Sequence, residues 1–468
     1  MRGVYTAAEI RAGEEVLLAR LPEGALMARA SYGLARECAA LLGRVYGAQV
    51  VLLVGAGNNG GDALYAGAAL ARRGAQVRAV LLDPPRAHAG GLAALRRAGG
   101  VLGSTVDGAD LVVDGILGIG GRGGLRPAAA ELVEAADGML TVAVDLPSGV
   151  DADTGAAGAA AVQADVTVTF GALKPGLVLG RGAELAGEVR LVEIGLELPP
   201  PSLQVLEAAD VRAVLPAPGA TDDKYTRGVV GLVAGSAQYG GAGVLATGSA
   251  LHGGAGMVRY AGAAPEAIRA RYPEVVVHEG SRPSELRVQS WVVGPGMGTD
   301  DYARGLLADV LSSDVPVIVD ADAITMLADS PALLQRGAAT VLTPHDREFV
   351  RIAGPVGDDR LDAARRAAAA LGATVLLKGD ATVIAAPDGT AYVNPTGTPW
   401  LATAGSGDVL SGLIGALLAA GLGAPLAAAV ASYVHGVAGQ FAAADGPPTA
   451  VDVLESVRGA LHVIASDA

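Results

Sequence analysis

The stretch that decides the fold is QVVLLVGAGNNGGDALYAGAAL, residues 49–70. Its opening run of Val and Leu reads as a strand buried on both faces, as in a parallel sheet. GDALYAGAAL, at its end, has helical spacing. Between them GAGNNGG leads from strand into helix, the setting in which backbone N–H groups and a helix N-terminus receive an anion. Gly55, Gly57 and Gly60 satisfy the dinucleotide-binding spacing, but Asn58 and Asn59 place two amides where small residues usually stand. An amide donates and accepts, so this loop can bind a phosphate and also offer oxygen to a metal ion. A tight turn with an Asn in left-handed geometry accounts for one Asn and one Gly and explains NNGGD poorly.

Outward from this loop the same alternation recurs. QVRAVLLD (76–83), DLVVDGIL (110–117), LTVAVDLPSG (140–149) and VTVTFG (166–171) read as further buried strands separated by Ala-rich helices. Strand, helix, strand at this interval predicts a parallel sheet wrapped by helices. The proline-rich text of 197–220 is the best linker candidate. Beyond it VVGLVAGS (229–236), WVVGPGMG (291–298), VPVIVDADAI (315–324), ATVLTPH (339–345) and ATVLLKG (373–379) repeat the pattern. TVIAAPDGTAYVNP reads as a hairpin turning at Asp388-Gly389, and three helical stretches close the chain. The expectation is two α/β domains, 1–205 and 206–468, without internal repeats.

Composition narrows the function classes. The chain has 468 residues, 51% hydrophobic and 18% charged, which excludes a disordered chain. Gly (68) and Pro (25) make up about a fifth of it, interleaved with apolar runs, which fits many βα turns and backbone-lined loops. A net charge of −14 argues against a broad nucleic-acid footprint. The single cysteine, Cys38, excludes a disulfide framework and reads as a buried, inert thiol in a helix. MRGVYTAAEIRAGEE carries acids where a secretory signal needs an apolar stretch. No Asp, Glu, Lys or Arg lies between Asp408 and Asp445, but Gly423-Ala424-Pro425 divides that segment and Ala and Gly dominate it. Two buried helices are expected there, not a membrane span.

Acids stand at two further strand ends: Asp114 before GIGGRGG (118–124), and Asp145 before LPSG. In an open parallel sheet the ligand crevice lies at the strand C-termini. Asn59, Asp114 and Ser148 can therefore converge as oxygen ligands, with Asp145 facing substrate as a base or acceptor; each alone also fits a cap or turn. Together GNNGGD, DGILGIG, DLPSGVD and TFGALKPGL resemble the epimerase domain of the NAD(P)H-hydrate repair enzymes. The resemblance implies a Rossmann-like, doubly wound domain. Asn58, Asn59, Gly60, Gly61 and Asp62, with Gly118, Ile119, Gly120, Gly121, Arg122, Gly123 and Gly124, would hold the hydrated coenzyme. It further implies potassium on Asn59, Asp114 and Ser148, and substrate contact or catalysis by Asp145. The family often has Gly where Ala63 stands. Lys174 reads equally as an active-site group or an exposed turn lysine.

In the second half, GSAQYGGAG (235–243) and GPGMG (294–298) end strands as ligand loops would. His345 follows a strand in TPHDREF, and LKGDATVI supplies Lys378. In AGSGD the glycines can close around an anion, and Asp408 can take a proton from an attacking hydroxyl. Neither a Walker loop nor a protein-kinase motif set is present. GSAQYGGA, GPGMG, DADA, TPHDRE, KGDAT and NPTGTPWLATAGSGDVLSG resemble the ribokinase-like superfamily. They resemble more closely the ADP-dependent dehydratase domain of the same repair family. The resemblance implies Asp408 as catalytic base, and nucleotide contacts by Lys378, Gly379, Asp380, Ala381, Thr382 and Gly407. Ala242, Gly298, His345 and Asp408 would contact hydrated coenzyme. It implies ADP as phosphoryl donor with Mg2+, and a cytoplasmic homo-oligomer acting on NADH-hydrate and NADPH-hydrate without nucleic-acid or membrane partners. Some relatives place Gly beside the lysine that corresponds to Lys224; here Tyr225-Thr226-Arg227 intervene. Two other readings stay open on sequence grounds: a vitamin or sugar kinase with an accessory domain, and a non-catalytic nucleotide-binding module.

Overall fold

A computed structural model describes residues 1–121 and 124–466. The chain divides into two compact units, Gly3–Ser202 and Leu203–Ala468, the latter including Met1–Arg2. Both are α/β.

In the N-terminal unit the sheet runs in the order Val101–Gly103, Gln76–Leu81, Gln49–Val54, Leu111–Gly115, Thr141–Val144, Val166–Phe170, Glu188–Val192, and every pair is parallel. The order reverses between Gln49–Val54 and Leu111–Gly115, so a crevice opens at their C-terminal ends. Val50, Leu52, Val54, Val113 and Val142 of the central strands sit in the main core beneath the helices Ala25–Leu42 and Asn58–Arg72. That is why the strands read as unbroken apolar runs rather than alternating ones. The helix Ala7–Leu18 opens with a capping box, in which Thr6 Oγ1 accepts from Glu9 N (3.3 Å) and Thr6 N donates to Glu9 Oε2 (2.7 Å).

The sheet of the C-terminal unit continues Leu203–Val205, Ala391–Val393, Val383–Ala385, Thr374–Leu377, Thr340–Leu342, Val317–Val319, Ser290–Val293, Val229–Val233, Met257–Tyr260, Val276–Val277. Among these strands, only the pairings that Val383–Ala385 makes with its two neighbours are antiparallel, and Asp388-Gly389 turns the hairpin with Gly389 at φ +90°. The order reverses between Val229–Val233 and Ser290–Val293. The charge-free tail forms Ser406–Ala419 and Ala424–Ala442, packed in the core. A Cβ on Gly412 would stand 2.1 Å from Ala246 O, and one on Gly415 2.5 Å from Val292 Cγ2, so small residues let this helix lie against its neighbours. Among the described residues no helix is long and apolar enough to cross a membrane.

The boundary between the units, Ser202 to Leu203, falls inside the expected linker 197–220, but part of that stretch is regular structure. Leu203–Val205 pairs in parallel with Ala391–Val393, and Ala208–Val214 is a helix capped by Glu207. Three consecutive prolines just upstream hide a strand too short to show a pattern.

Candidate active sites

In the N-terminal crevice, Gly55 lies so close to the next strand that a Cβ would be 1.9 Å from Ile116 O. This closeness interlocks the NNGGD and DGILG loops. Asn59, on the first turn of Asn58–Arg72, donates from Nδ2 to Leu117 O (2.9 Å) and Val144 O (3.0 Å). Asp114 is buried; its Oδ1 accepts from Ser148 Oγ (2.6 Å) and Ile116 N (3.2 Å), its Oδ2 from Ser148 N (2.8 Å). Leu117 N donates to Ser148 Oγ (2.9 Å). Burial pushes the Asp114 carboxyl up to about 6, against the hydrogen bonds from Ser148 and Ile116. Asn59, Asp114 and Ser148 therefore meet around the Leu117 peptide, a hard-oxygen set carrying one negative charge.

Asp145 caps the strand Thr141–Val144 with φ +68°, a left-handed backbone that L-residues seldom adopt outside functional sites. Its Oδ1 accepts from Lys174 Nζ, Thr169 Oγ1 (3.2 Å) and Phe170 N (3.3 Å). Lys174 is only 1% exposed and also donates to Thr169 Oγ1 (2.7 Å) and Phe170 O (3.1 Å). The exposed-turn reading of Lys174 is thus overturned, because Asp145 supplies the charge that lets an ammonium be buried. Two more acids share the crevice. Burial, then the charges of Asp145 and Glu14, pushes the Asp62 carboxyl well up, and Asp62 Oδ1 is buried with no hydrogen-bond partner. Glu14 on Ala7–Leu18 is likewise raised by burial and by Asp145, against Lys174 and Arg11.

Of the other residues singled out here, Asn58 is exposed at the helix start, and Gly60 lies against Gly55, where a Cβ would be 2.4 Å from Gly55 O. Gly61 faces His88 and Met27. Gly118 faces Asn59 Oδ1, and Ile119 O accepts from Arg11 Nη2 (2.8 Å). Gly121 N donates to Gly118 O (2.8 Å), Gly120 precedes it in the turn, and Gly124 is exposed. Arg122 and Gly123 lie outside the described residues.

In the C-terminal unit Asp408 lies in the first turn of Ser406–Ala419, behind Gly405 at φ +92°. A Cβ on Gly407 would be 3.4 Å from Lys378 Nζ and 4.0 Å from Asp320 Oδ2, so this helix end faces both groups. Asp320, buried, accepts from Lys378 Nζ (3.0 Å) and Ser411 Oγ (2.8 Å). Glu348 Oε2 stands 3.9 Å from the same ammonium. Burial disfavours the Lys378 charge, but Asp320, Glu348 and Asp408 outweigh it and raise its pKa. Asp408 is pushed up to about 7 by burial and by the charge of Asp320, against Lys378. A general base working near neutral pH has such a value.

Ala321, between Asp320 and Asp322, has φ +50°; with Asp145 it is one of the two non-glycine residues at positive φ among the described residues. Asp322 Oδ2 accepts from Gly298 N (2.9 Å), and a Cβ on Gly296 would meet Ala242 at 2.8 Å. Ala242 and Gly298 are thereby brought beside the DADA turn. His345 is the N-cap of Asp346–Ala353: Nδ1 accepts from Glu348 N (3.2 Å), and Nε2 stands 3.6 Å from Glu348 Oε1. Its ring is structural at one nitrogen and half-exposed at the site. Gly379 faces Arg360, which donates to Lys378 O (2.8 Å); Asp380 is exposed, Ala381 buried, and Thr382 intermediate. Lys224 is exposed, over the Tyr225 ring (5.2 Å to the centroid). Buried His435 bonds the Ser406 backbone, and burial holds its pKa down at about 4, so it braces the AGSGD turn as a neutral ring. Asp320, Asp322, Glu348 and Ser411 stand in the quoted DADA, TPHDRE and AGSGDVLSG motifs, which assign them no role; the strand-end rule that flags Asp114 applies equally to Asp320.

Residues 23–176 match the family described as YjeF-related protein N-terminus, and residues 230–456 match NAD(P)H-hydrate dehydratase. The chain is 53% identical over 389 residues to the bifunctional NAD(P)H-hydrate repair enzyme Nnr of Mycobacterium leprae, covering 81% of each. It is 38% identical over 408 residues to that of Corynebacterium glutamicum, covering 70% of this chain and 71% of the relative. Among solved structures, the ADP/ATP-dependent NAD(P)H-hydrate dehydratase of Bacillus subtilis, co-crystallised with ATP and Mg2+, superposes with TM-score 0.50 at 29% identity, over 55% of this chain and 97% of that one. A ribokinase-like superfamily protein of Enterococcus faecalis does so with TM-score 0.53 at 26% identity, over 57% and 99%. Two crevices at two sheet reversals, each matched by its own family over the same residues, have one common explanation: the chain belongs to the family of bifunctional NAD(P)H-hydrate repair enzymes.

Proposed function

We propose that the chain repairs hydrated nicotinamide coenzymes, the N-terminal unit interconverting the R and S forms of NAD(P)H-hydrate and the C-terminal unit dehydrating the S form with ADP, giving AMP and phosphate. The observation that carries this reading is Asp408, a carboxyl held near neutrality at a helix N-terminus opposite Lys378.

Hydroxide leaves a neutral ring slowly, whereas phosphate leaves easily. Asp408 takes the proton of the coenzyme hydroxyl as its oxygen bonds the terminal phosphorus of ADP and the bond to AMP breaks. The N–H groups of Gly405 and Gly407, with Lys378, face the charge that develops on the phosphoryl oxygens. Phosphate then departs with a proton from the neighbouring carbon, and the ring double bond returns. Asp320 holds Lys378 toward the phosphates, and Gly298, Ala242 and His345 line the coenzyme side.

The residues present suit the ions this reading expects. Among the described residues no cluster of three or more His, Cys, Asp or Glu is suited to a metal. Mg2+ would be carried mainly by the nucleotide phosphates, with Asp320 or Asp322 as protein ligand. Asn59 Oδ1, Asp114 and Ser148 Oγ fit a weakly charged cation such as K+, which would offset the Asp114 charge and pin the crevice loops together. The single cysteine, Cys38, suits a reducing compartment and supports a cytoplasmic location.

The test is purified protein with NADH-hydrate of mixed epimers, K+, Mg2+ and either ADP or ATP. Full recovery of the reduced-nicotinamide absorbance, with AMP released, is expected. No recovery with either nucleotide overturns the proposal, and a stable phosphorylated product identifies a kinase instead.

A further inference from the structure

Beside Asp114, the N-terminal crevice holds two further buried carboxyls, Asp62 and Asp145, with opposite surroundings. Asp145 is paired with Lys174, and the three hydrogen bonds its carboxyl accepts among the described residues all fall on Oδ1. The Lys174 ammonium has three protons and three acceptors, Asp145 Oδ1, Thr169 Oγ1 and Phe170 O, so none is left to give a substrate. Asp62 is 7% exposed, on the second turn of Asn58–Arg72, with Oδ1 buried and unpartnered. The charged groups acting on it are Asp145 and Glu14, both acids. Burial of an unpaired carboxyl disfavours its charged form, while its neighbour Asp145 faces an ammonium. Two carboxyls whose environments differ in this way divide acid and charge-stabilising work between them.

We propose that Asp62 is the general acid–base of the epimerisation, with the Asp145–Lys174 pair as a fixed electrostatic partner. This rests on the epimerase reading above. Water adds to the ring double bond at the carbon beside the ring nitrogen, so the carbinol carbon is a hemiaminal. Asp62 gives its proton to that hydroxyl as the C–O bond breaks; the C–O pair leaves on water, and the nitrogen lone pair closes a C=N bond to a ring cation. Asp145, facing the same space, stabilises that cation. Water then bonds the opposite face of the carbon and returns a proton to Asp62. Bonds, protons and electrons balance, and nothing is consumed. Lys174 acts as a positioning residue.

The experiment supplies the R form alone, with K+ and without nucleotide, and follows formation of the S form by chromatography for wild type and Asp62→Asn. Wild type converts it; if it does not, the epimerase reading fails and this proposal with it. Given an active wild type, Asp62→Asn should lose about 100-fold or more in kcat with little change in KM, and equal rates overturn the proposal. Cys38, buried in this unit and the sole cysteine, reports folding by its resistance to thiol reagent. Should the variant expose Cys38, the decision passes to wild type in water labelled with heavy oxygen. One solvent oxygen per epimerisation is expected, and an S product that keeps its original oxygen overturns the proposal.

Discussion

Replacing Asp408 by Asn should make the protein more stable as it makes it inactive. The Asp408 carboxyl lies up at about 7, against an ordinary 3.8, because burial and Asp320 disfavour its charge. It binds its proton more tightly folded than unfolded. Its favourable contribution is therefore complete below the unfolded value and is lost as pH rises through the folded one. At about 1.4 kcal/mol per pH unit, the ionised group opposes folding by roughly 4 kcal/mol above neutrality. Asn cannot ionise and escapes that opposition, while forfeiting the attraction to Lys378. The variant should match wild type near pH 4 and gain progressively to about 2–4 kcal/mol by about pH 8. Both tryptophans, Trp291 and Trp400, lie in the C-terminal unit, so fluorescence in urea reads its unfolding separately. A gain that does not grow with pH, or a loss at pH 8, would refute the reasoning.

Other substitutions test other contacts. Lys174→Met strands a buried carboxylate and should cost the N-terminal unit about 3–5 kcal/mol, read by Cys38 labelling in urea, with Lys174→Met/Asp145→Leu recovering most of it; a neutral single variant would contradict the pairing. Ala321→Gly should stabilise the C-terminal unit by about 1 kcal/mol in the tryptophan assay by relieving φ +50°, while slowing dehydration as Asp320 and Asp322 loosen. Gly294→Ala would put a Cβ 1.8 Å from Asp320 O, whereas Gly298→Ala meets nothing within 4 Å. Both have positive φ, so the second should cost about 1–2 kcal/mol and the first clearly more; equal urea midpoints would argue against the close approach.

Much of the fold was legible because its strands are covered on both faces. Gln49–Val54 and Val229–Val233 are continuous apolar runs ended by glycine loops, a pattern that local sequence carries. Leu203–Val205 was hidden because its place is set by a partner, Ala391–Val393, nearly two hundred residues away. At the sites, residues inside glycine motifs announced themselves. Asp408 and Asn59 stand inside such motifs; the helix end that carries Asp408 faces Lys378, and Asn59 Nδ2 donates to Leu117 O. Lys174 stayed ambiguous because burial of a lysine depends on Asp145, and that pairing exists only once two strand ends meet. Asp62 reads locally as a helix residue; its isolation is a property of the folded crevice. Asp320 could have been found, since it ends a buried strand as Asp114 does.

The central claim is that two sites perform two separable reactions. The most direct test gives the R form alone, with ADP, K+ and Mg2+, to wild type and to Asp408→Asn, following the S form and NADH together. The account predicts NADH from wild type after passage through the S form, and S form without NADH from the variant. Loss of both products in a folded Asp408→Asn protein, or NADH formed by it at the wild-type rate, would contradict the account.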